Sequence, residues 1–409
     1  MKISNSINLL LFYIALTSLV FFPGGYYRVD QFVFFFFFVI AFLKGNLVEI
    51  REIRWELFFF FLLILTTSTG ISVKLFSGGQ FVWRDFMSIF RDLFYLIVFL
   101  GVFQNLKSNL IKINLSYFFL ILAVLCSLVS FFQYFNILGL NTYFVDIYRE
   151  SDTWLIDMVS WRRIFGTIGN PNYWGLLIGQ ILIVLTYLLF WEGKLLVLPI
   201  ILTTFASLIF TGSRSALISY CLAVFFGFLT IAILRKEKYK IIIFLVTLSI
   251  SVPILLTIVN YSGYEEMDRF STSNIGSYYG RIQRWNSILQ TNPLILFVGA
   301  GPTKGLQTAW VDNTYLKILY EQGVTGLFCF LGLLATFLFR FLKDIRDNDD
   351  MRWSAILMIV IIHWMVFALS ADIWSHVRCT PIFLGLISYT YASIYAKKNF
   401  KIMGQEKQC

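Results

Sequence analysis

The stretch WELFFFFLLILTTSTG, residues 55–70, decides the class of fold. After Glu56 it holds no charged residue, and Phe58 to Phe61 follow one another without interruption. Such a run approaches the roughly 20 apolar residues that a helix needs to cross a bilayer. The whole 409-residue chain has the same bias, since it is 58% hydrophobic and only 14% charged, with 45 phenylalanines. A mean hydropathy of +0.75 lies outside the range of soluble domains. The sequence therefore predicts an all-α integral membrane protein in a lipid bilayer.

Apolar runs of spanning length recur along the chain and predict about twelve transmembrane helices. No repeat, Pro/Ser-rich linker or low-complexity tail divides residues 1–409, so they are interpreted as one polytopic membrane domain. The first run has no small-residue cleavage site after it, which favours a retained helix over a cleaved signal peptide. The predicted spans are 7–22, 31–43, 55–70, 86–104, 114–135, 171–191, 195–211, 214–234, 241–260, 314–340, 353–371 and 377–396.

The basic residues predict the orientation of these spans. With the N-terminus inside, 19 of the 33 Lys and Arg residues fall in cytoplasmic segments, including the RKEKYK cluster at 235–240, as the positive-inside rule requires. Both termini are then cytoplasmic. The first long loop, 136–170, and the main loop, 261–313 between helices 9 and 10, both lie outside. The net charge of +10 is thereby explained by topology, and no nucleic-acid partner is needed.

The predicted outer side is rich in arginine, whereas the inner side is rich in lysine. The outer set has 11 Arg and 3 Lys, and the inner set has 6 Arg and 13 Lys. The topology rule does not distinguish the two residue types. A guanidinium can hold a phosphate through two parallel hydrogen bonds, so the asymmetry favours an anionic ligand on the outer side. Sampling noise combined with interfacial snorkelling is the alternative.

The segment WRDFMSIFRDLFYL, residues 83–96, places a polar stripe on one helical face. Arg84, Ser88 and Arg91 are spaced i, i+4, i+7, so they share that face. A polar stripe that enters lipid is expected to face a cavity or other helices. An interfacial amphipathic helix is an equally weighted alternative. Arg91 is a candidate substrate-binding residue because it lies deeper.

The segment SWRRIFGTIGNPNYWG, residues 160–175, joins paired arginines to a helix start. Asn170 is the predicted N-cap and Pro171 suits the first turn. A helix N-terminus favours an anion, and asparagine amides suit sugar hydroxyls. A plain capped turn explains Asn170 but not the arginines. The candidate substrate-binding residues here are Arg162, Arg163, Asn170 and Asn172.

The segment TGSRSA, residues 211–216, turns the chain between two spans. Arg214 then begins a helix, where the macrodipole disfavours a cation by roughly 0.3–1 kcal/mol. A cation in that position usually has an anionic partner. Interfacial anchoring of Arg214 is the alternative.

The core of the main outer loop is GSYYGRIQRWNSILQTNPLILFVGAGPTKG, residues 276–305. Residues 280–290 are predicted to form a short amphipathic helix that carries Arg281 and Arg284. The glycines of GAGPTKG resemble a phosphate loop only loosely, because the P-loop spacing and its Ser/Thr are absent. A nucleotide site is therefore rejected.

The segment VDNTYLKILYEQGVTG, residues 311–326, puts Asp312 and Asn313 at the start of the tenth span. A carboxylate there is stabilised by the helix dipole, and this structural interpretation is about even with a catalytic one. Thr314 can help to cap this helix, and Glu321 is expected to be a structural hydrogen-bond partner. His376 is a second candidate base, and Arg378 follows it at the outer start of the last span. The candidate substrate-binding residues in the main loop, at the start of the tenth span and at the last span are Arg284, Asn313, Tyr315, His376 and Arg378.

Four of these motifs occur in an order that resembles a known superfamily. RRIFGTIGNPNYWG, TGSRSAL, the GR…RW…NPL…FVGAGP pattern and DNTYLKILYEQGVTGL together resemble the O-antigen polymerase and O-antigen ligase superfamily, the Wzy- and WaaL-like glycosyltransferases. The resemblance is strongest over residues 160–330. It implies a GT-C-like fold and a metal-independent enzyme without a cofactor. The enzyme would transfer a glycan, with inversion, from an undecaprenyl-pyrophosphate donor to an acceptor hydroxyl at the periplasmic face of the bacterial inner membrane.

The resemblance also implies roles for individual residues. Arg214 and Arg281, in the GSR and GR motifs, are expected to hold the donor pyrophosphate. The ligases carry His-Asn-x-Tyr-Leu where this chain reads DNTYL, so Asp312 occupies the histidine position and Tyr315 the tyrosine position. This difference favours the Wzy polymerase branch. A Wzz-like chain-length regulator is a candidate partner. A ligase of the same superfamily and a lipid-linked oligosaccharide transporter are the alternative functions.

Overall fold

The computed structural model describes residues 52–79, 82, 85–107, 115–139, 141, 163–236, 276–302, 311–376 and 379–406. Within these ranges the regular structure is helical and no strand occurs. The helices are α1 Arg54–Phe76, α2 Met87–Lys107, α3 Leu115–Tyr134, α4 Pro171–Phe190, α5 Leu198–Phe210, α6 Arg214–Arg235, α7 Gly276–Leu289, α8 Pro293–Val298, α9 Thr314–Asp347, α10 Arg352–Phe367 and α11 Cys379–Glu406.

Six of the described helices are long and apolar enough to cross a membrane: α1, α2, α3, α4, α6 and α9. Helix α10 and the segment Leu195–Phe210, which contains α5, are shorter apolar helices. The structure is therefore that of a helical membrane protein. Nine of the twelve predicted spans coincide with described helices. The other three, 7–22, 31–43 and 241–260, lie outside the described residues.

Helix α4 forms the centre of the described bundle. It packs against α3, α5, α6 and α10, and 83% of its most apolar 18-residue window is buried. The corresponding fraction is 39% in α1, α6 and α9. These helices present large apolar side chains outward, for example Phe61, Phe226 and Phe328. Lipid rather than water is the solvent that suits such surfaces.

The helix ends define two opposite faces of the bundle. We call upper the face at which α4, α6 and α9 begin. The end of α10 lies there too, because the Thr314 N–H donates to the Ala368 carbonyl at 2.9 Å. The opposite, lower face is marked by ion pairs between Arg340 and Glu56 and between Arg235 and Asp349. Described basic residues at the lower face include Arg54, Lys194, Arg235, Lys236, Arg340, Lys343, Arg346 and Arg352.

Helix α9 is interrupted near the upper face. Gly323 has φ +74° and ψ −176°, which ends the first two turns and starts a new helical segment. The carbonyl oxygens of Tyr320 and Glu321 instead accept the N–H groups of Ala300 and Gly301, at 2.7 and 3.0 Å. The glycines of the GAG sequence thus pack against the break in α9. An uninterrupted span over 314–340 was expected, and the structure differs because the loop supplies the hydrogen bonds that continuous helix would have made.

Candidate functional site

Two residues from different sequence motifs meet at the upper face. The Arg281 Nε of α7 lies 3.4 Å from Asp312 Oδ2, and the two side chains are 30% and 36% exposed. Arg281 also donates through Nη1 to the Ser370 carbonyl at 3.4 Å. This ion pair joins α7 to the start of α9 and the end of α10. It places a guanidinium and a carboxylate side by side where both can be reached from outside.

The start of α9 is capped by Asn313, not by Thr314. Asn313 Oδ1 accepts the Leu316 N–H at 3.1 Å, and its Nδ2 donates to the Leu369 carbonyl at 3.0 Å. Thr314 is the first helical residue, and its hydroxyl donates to the Ala371 carbonyl at 2.8 Å. The sequence placed Asn313 among the substrate-binding candidates, and here its amide satisfies backbone groups. Asp312 precedes the cap and lies at the positive end of the helix dipole.

The TGSR turn is braced by Arg163. Arg163 Nε donates to the Thr211 carbonyl at 2.8 Å, and its Nη2 lies 3.3 Å from Asn172 Oδ1. Gly212 closes the turn with φ +60°, and a Cβ added there would approach Arg163 Nε to 3.1 Å. Two of the predicted motifs therefore contact each other. Arg163 and Asn172, both substrate-binding candidates, also have this structural role.

Arg214 begins α6 as an exposed cation. Ser213 caps the helix by accepting the Ala216 N–H at 3.4 Å. Arg214 makes no hydrogen bond or ion pair with the described residues, although a cation at a helix N-terminus is disfavoured by the dipole. The anionic partner expected from the sequence is thus not supplied by the described part of the chain. Arg214 remains available to an anion from outside.

The predicted cap of α4 is confirmed. Asn170 Oδ1 accepts the Asn172 N–H at 2.9 Å, and Pro171 occupies the first turn. Just before it, Gly166 has φ +55°, and a Cβ there would lie 2.0 Å from the Trp174 ring. The cap therefore sits on a tightly packed turn. Arg162 and Arg378, also predicted to bind substrate, lie outside the described residues.

Largely buried ion pairs form a floor beneath these upper-face residues. Lys317 Nζ lies 2.5 Å from Asp372 Oδ2 and 3.9 Å from Glu321 Oε1. Burial raises the pKa of the Asp372 carboxyl. The combined effect of Lys317, a hydrogen bond from Ser375 and Arg91 lowers it by more, so the net pKa is below its usual value. Asp372 is thus held as a carboxylate by neighbouring cations.

The second pair of the floor contains the deeper arginine predicted from the sequence. Arg91 Nε and Nη2 both lie 3.0 Å from Asp92 Oδ1, and Nη1 donates to Ser375 Oγ at 2.9 Å. The Thr67 hydroxyl donates to Asp92 Oδ2 at 2.8 Å. Arg91 is buried, as its position in the polar stripe indicated. Its donors are engaged within the protein, so it supports the site from below.

A third buried cation ties the glycine loop to the bundle. Lys74 Nζ lies 2.7 Å from Asp85 Oδ2 and 2.7 Å from the Pro302 carbonyl oxygen. Gly70, one turn earlier on α1, has no room for a side chain, because a Cβ would lie 2.4 Å from the Glu321 carbonyl oxygen. Residues 299–302 of this loop are therefore held against both α1 and α9.

The remaining predicted residues make separate contacts. His376 stacks on Tyr173 with ring centroids 3.8 Å apart, and its Nδ1 accepts the Cys379 N–H at 3.2 Å. The Tyr315 hydroxyl donates to the Met365 carbonyl at 2.8 Å, so it ties α9 to α10. Arg284 is exposed on α7 and donates to the Gly280 carbonyl at 3.0 Å. His363 is buried in the core, 3.4 Å from the Leu176 carbonyl, as expected of a core hydrogen-bonding residue.

The sequence interpretation missed Asp372 and its pairing. The signal was a carboxylate in SADIWS, residues 370–375, between two apolar spans. Among the described residues, no group of three or more His, Cys, Asp or Glu side chains is placed to hold a metal ion. What the upper face offers a ligand is an accessible guanidinium at Arg214, a second at Arg281 and a carboxylate at Asp312, above charges that are already paired.

Comparison with known proteins adds no relative. No protein-family model matches the chain, and no curated protein matches it significantly.

Proposed function

We propose that this protein is a Wzy-type polymerase of undecaprenyl-pyrophosphate-linked oligosaccharide repeat units, such as those of O-antigen or a related surface polysaccharide. The observation that carries the proposal is the contact between Arg281 and Asp312. The sequence resemblance assigned Arg281 to the motif that holds the donor pyrophosphate and Asp312 to the separate DNTYL motif, and the two side chains lie 3.4 Å apart. The accessible guanidinium of Arg214 adds a second cation at the same face.

The reaction requires little more than charge neutralisation and positioning. The leaving group is a lipid pyrophosphate, and guanidinium groups stabilise the charge that develops on its oxygens. In the proposal Arg214 and Arg281 bind the donor pyrophosphate. As Arg281 turns to the phosphates, Asp312 is released to accept the proton of the acceptor hydroxyl. The acceptor oxygen bonds to the anomeric carbon while the bond from that carbon to the phosphate oxygen breaks, which gives inversion and frees undecaprenyl pyrophosphate.

The proposal places the upper face in the periplasm of a bacterium with the protein in its inner membrane. The accumulation of basic residues at the lower face, which is then cytoplasmic, supports this orientation through the positive-inside rule. About twelve spans in a GT-C-like arrangement, cytoplasmic termini and the periplasmic loops 136–170 and 261–313 belong to the same proposal. A Wzz-like chain-length regulator is its candidate protein partner.

A ligase of the same superfamily would use the same cations. It differs at the acceptor, where Asp312 stands in place of histidine, and this substitution favours polymerisation. Deletion of the gene followed by electrophoresis of the surface polysaccharide distinguishes the two. Loss of long chains with single repeat units still attached is expected for the polymerase. Loss of every attached unit would instead indicate a ligase or an earlier step.

The interruption of α9 at Gly323 is the observation that favours a transporter of lipid-linked oligosaccharide. Transporters often bind substrate at broken helices in two related halves. Among the described helices only α9 has such an internal break, and its freed carbonyls are already bonded to Ala300 and Gly301. The same deletion strain tests this alternative. Repeat units that accumulate on the carrier at the cytoplasmic side would indicate transport, and units on the periplasmic side would indicate polymerisation.

A further inference from the structure

A cavity lies at the lower face, at the other end of the bundle from the Arg281–Asp312 pair. It has a volume of about 800 Å³ and opens between α1, α9 and α11. Cavities of this size bind small ligands. Its lining combines aromatic rings, among them Trp55, Phe339 and Tyr391, with charged side chains. It is independent of the proposed glycosyl transfer.

One wall of this cavity holds a carboxylate whose hydrogen bonding is incomplete. Glu56 is 2% exposed, and its Oε2 makes no hydrogen bond of ordinary geometry, although the Tyr391 hydroxyl interacts with the Glu56 carboxylate. The other oxygen, Oε1, lies 3.5 Å from Arg340 Nη2. Arg340 cannot serve both oxygens well, because it also donates to the Glu52 carbonyl and lies 4.4 Å over the Tyr391 ring. A buried acceptor left unpaired costs free energy, so a ligand that brings an N–H donor would satisfy Glu56.

A cation without a hydrogen-bonded partner lies on the same cavity. Lys343 is exposed, lines the cavity and makes no hydrogen bond or ion pair with the described residues. The nearby Asp347 is paired with Arg346 at 2.8 Å. A phosphate is the natural counter-ion of such an ammonium group.

The charge balance of the lining selects against a net-negative ligand. Acidic side chains outnumber basic ones by two, since Glu52, Glu56, Asp344 and Asp347 face Arg340 and Lys343. The rim is apolar and open, with Trp55 and Phe339 largely exposed. Trp and Tyr side chains are enriched at the membrane–water interface. The ligand is thus an amphiphile with an apolar body, an anionic group and a cationic N–H donor.

We infer that this cavity is a binding site for a zwitterionic phospholipid with a primary amine, of the phosphatidylethanolamine class. Its ammonium group donates to Glu56 Oε2, its phosphate pairs with Lys343, and its chains lie against Trp55, Phe339 and Tyr391. Phosphatidylcholine has the same charges but no N–H donor. Phosphatidylglycerol lacks the cation and adds a net negative charge. The three lipids therefore separate the contribution of the donor from those of charge and apolar area.

The test uses the full-length protein purified in mild detergent and stripped of lipid. Each of the three lipids is titrated, retained lipid is counted by native mass spectrometry, and the shift of Tm is recorded, because a ligand that binds the folded state raises it. We expect phosphatidylethanolamine to be retained over phosphatidylcholine by about tenfold, the value of a charged hydrogen bond. This comparison on the unaltered chain requires no variant. Equal retention of the two lipids, or preference for phosphatidylglycerol, would overturn the inference.

Variants then assign the contacts. Glu56→Gln keeps the size of the side chain and is expected to bring the retention ratio of the first two lipids close to one. Lys343→Ala is expected to weaken binding of both. Lys236→Ala is the matched control, since Lys236 is an exposed lower-face lysine that does not line the cavity, and it should change neither. A Lys236 variant that weakened binding as much as Lys343→Ala would reduce the site to general electrostatic attraction and overturn the assignment.

Discussion

The Lys317 ammonium lies 2.5 Å from the Asp372 carboxylate and joins α9 to the turn between α10 and α11. Both side chains are less than one-fifth exposed. Removing Asp372 leaves the largely buried Lys317 ammonium with only the more distant Glu321, 3.9 Å away, and the loss of a close partner from such a pair is strongly destabilising. We expect Asp372→Asn to lower the free energy of unfolding by about 3 kcal/mol, measured as a fall in Tm of the detergent-purified protein. Asp349→Asn, whose fully exposed carboxylate pairs with Arg235, is the control and should leave Tm almost unchanged.

The same pair predicts a pH dependence. The pKa of Asp372 in the folded protein is below its usual value, so the carboxylate stabilises the fold fully above the unfolded pKa of about 4. That contribution is lost as pH falls through the folded pKa. The difference in Tm between the unaltered protein and Asp372→Asn should therefore be constant near neutral pH and shrink in acid. A difference that grew in acid would contradict the assigned ion pair.

The break in α9 requires glycine at position 323. Its φ of +74° is costly for other residues, and a Cβ would lie 2.2 Å from the Phe297 carbonyl oxygen. We expect Gly323→Ala to destabilise the protein by about 2 kcal/mol, again read from Tm. Gly280→Ala is the matched control, because a Cβ at Gly280 meets nothing within 4 Å. Alanine is the better helix former, so this control should stabilise α7 slightly. Equal effects of the two changes would contradict the close approach.

Features that depend on neighbouring residues were predictable from the sequence, whereas features that depend on contacts between distant residues were not. Apolar runs located the described spans because burial in lipid depends on local composition. The Asn170 cap was predictable because its partner is two residues away. The pairing of Lys317 with Asp372 spans 55 residues, and no local pattern indicates it. The break at Gly323 was missed because a glycine inside a helix signals a break only when a loop arrives to bond the freed carbonyls.

Among the proposed site residues, Arg214 offers the clearest test of the guanidinium geometry. Arg214→Lys keeps the charge but loses the planar fork that holds two phosphate oxygens. We expect polymer formation to fall by roughly a hundredfold, measured by electrophoresis of surface polysaccharide at matched protein expression. Arg346→Lys, at an exposed site on the lower face, should leave the polymer unchanged. Full-length polymer from the Arg214→Lys variant at normal expression would contradict bidentate binding of the phosphate by Arg214.

Asp312 tests whether the upper-face carboxylate acts as a base. Asp312→Asn keeps the shape, and its ion pair with Arg281 is about one-third exposed, so the cost in stability should be at most about 1 kcal/mol. A general base contributes roughly a hundredfold or more to the rate. We therefore expect turnover of lipid-linked repeat units to be largely lost while Tm changes little. The exposed lower-face Asp347→Asn should keep full turnover. If Asp312→Asn also kept full turnover, the role of Asp312 would be limited to stabilising the N-terminus of α9 through the helix dipole. If Tm fell together with turnover, the loss of turnover would reflect unfolding and would not support Asp312 as the base.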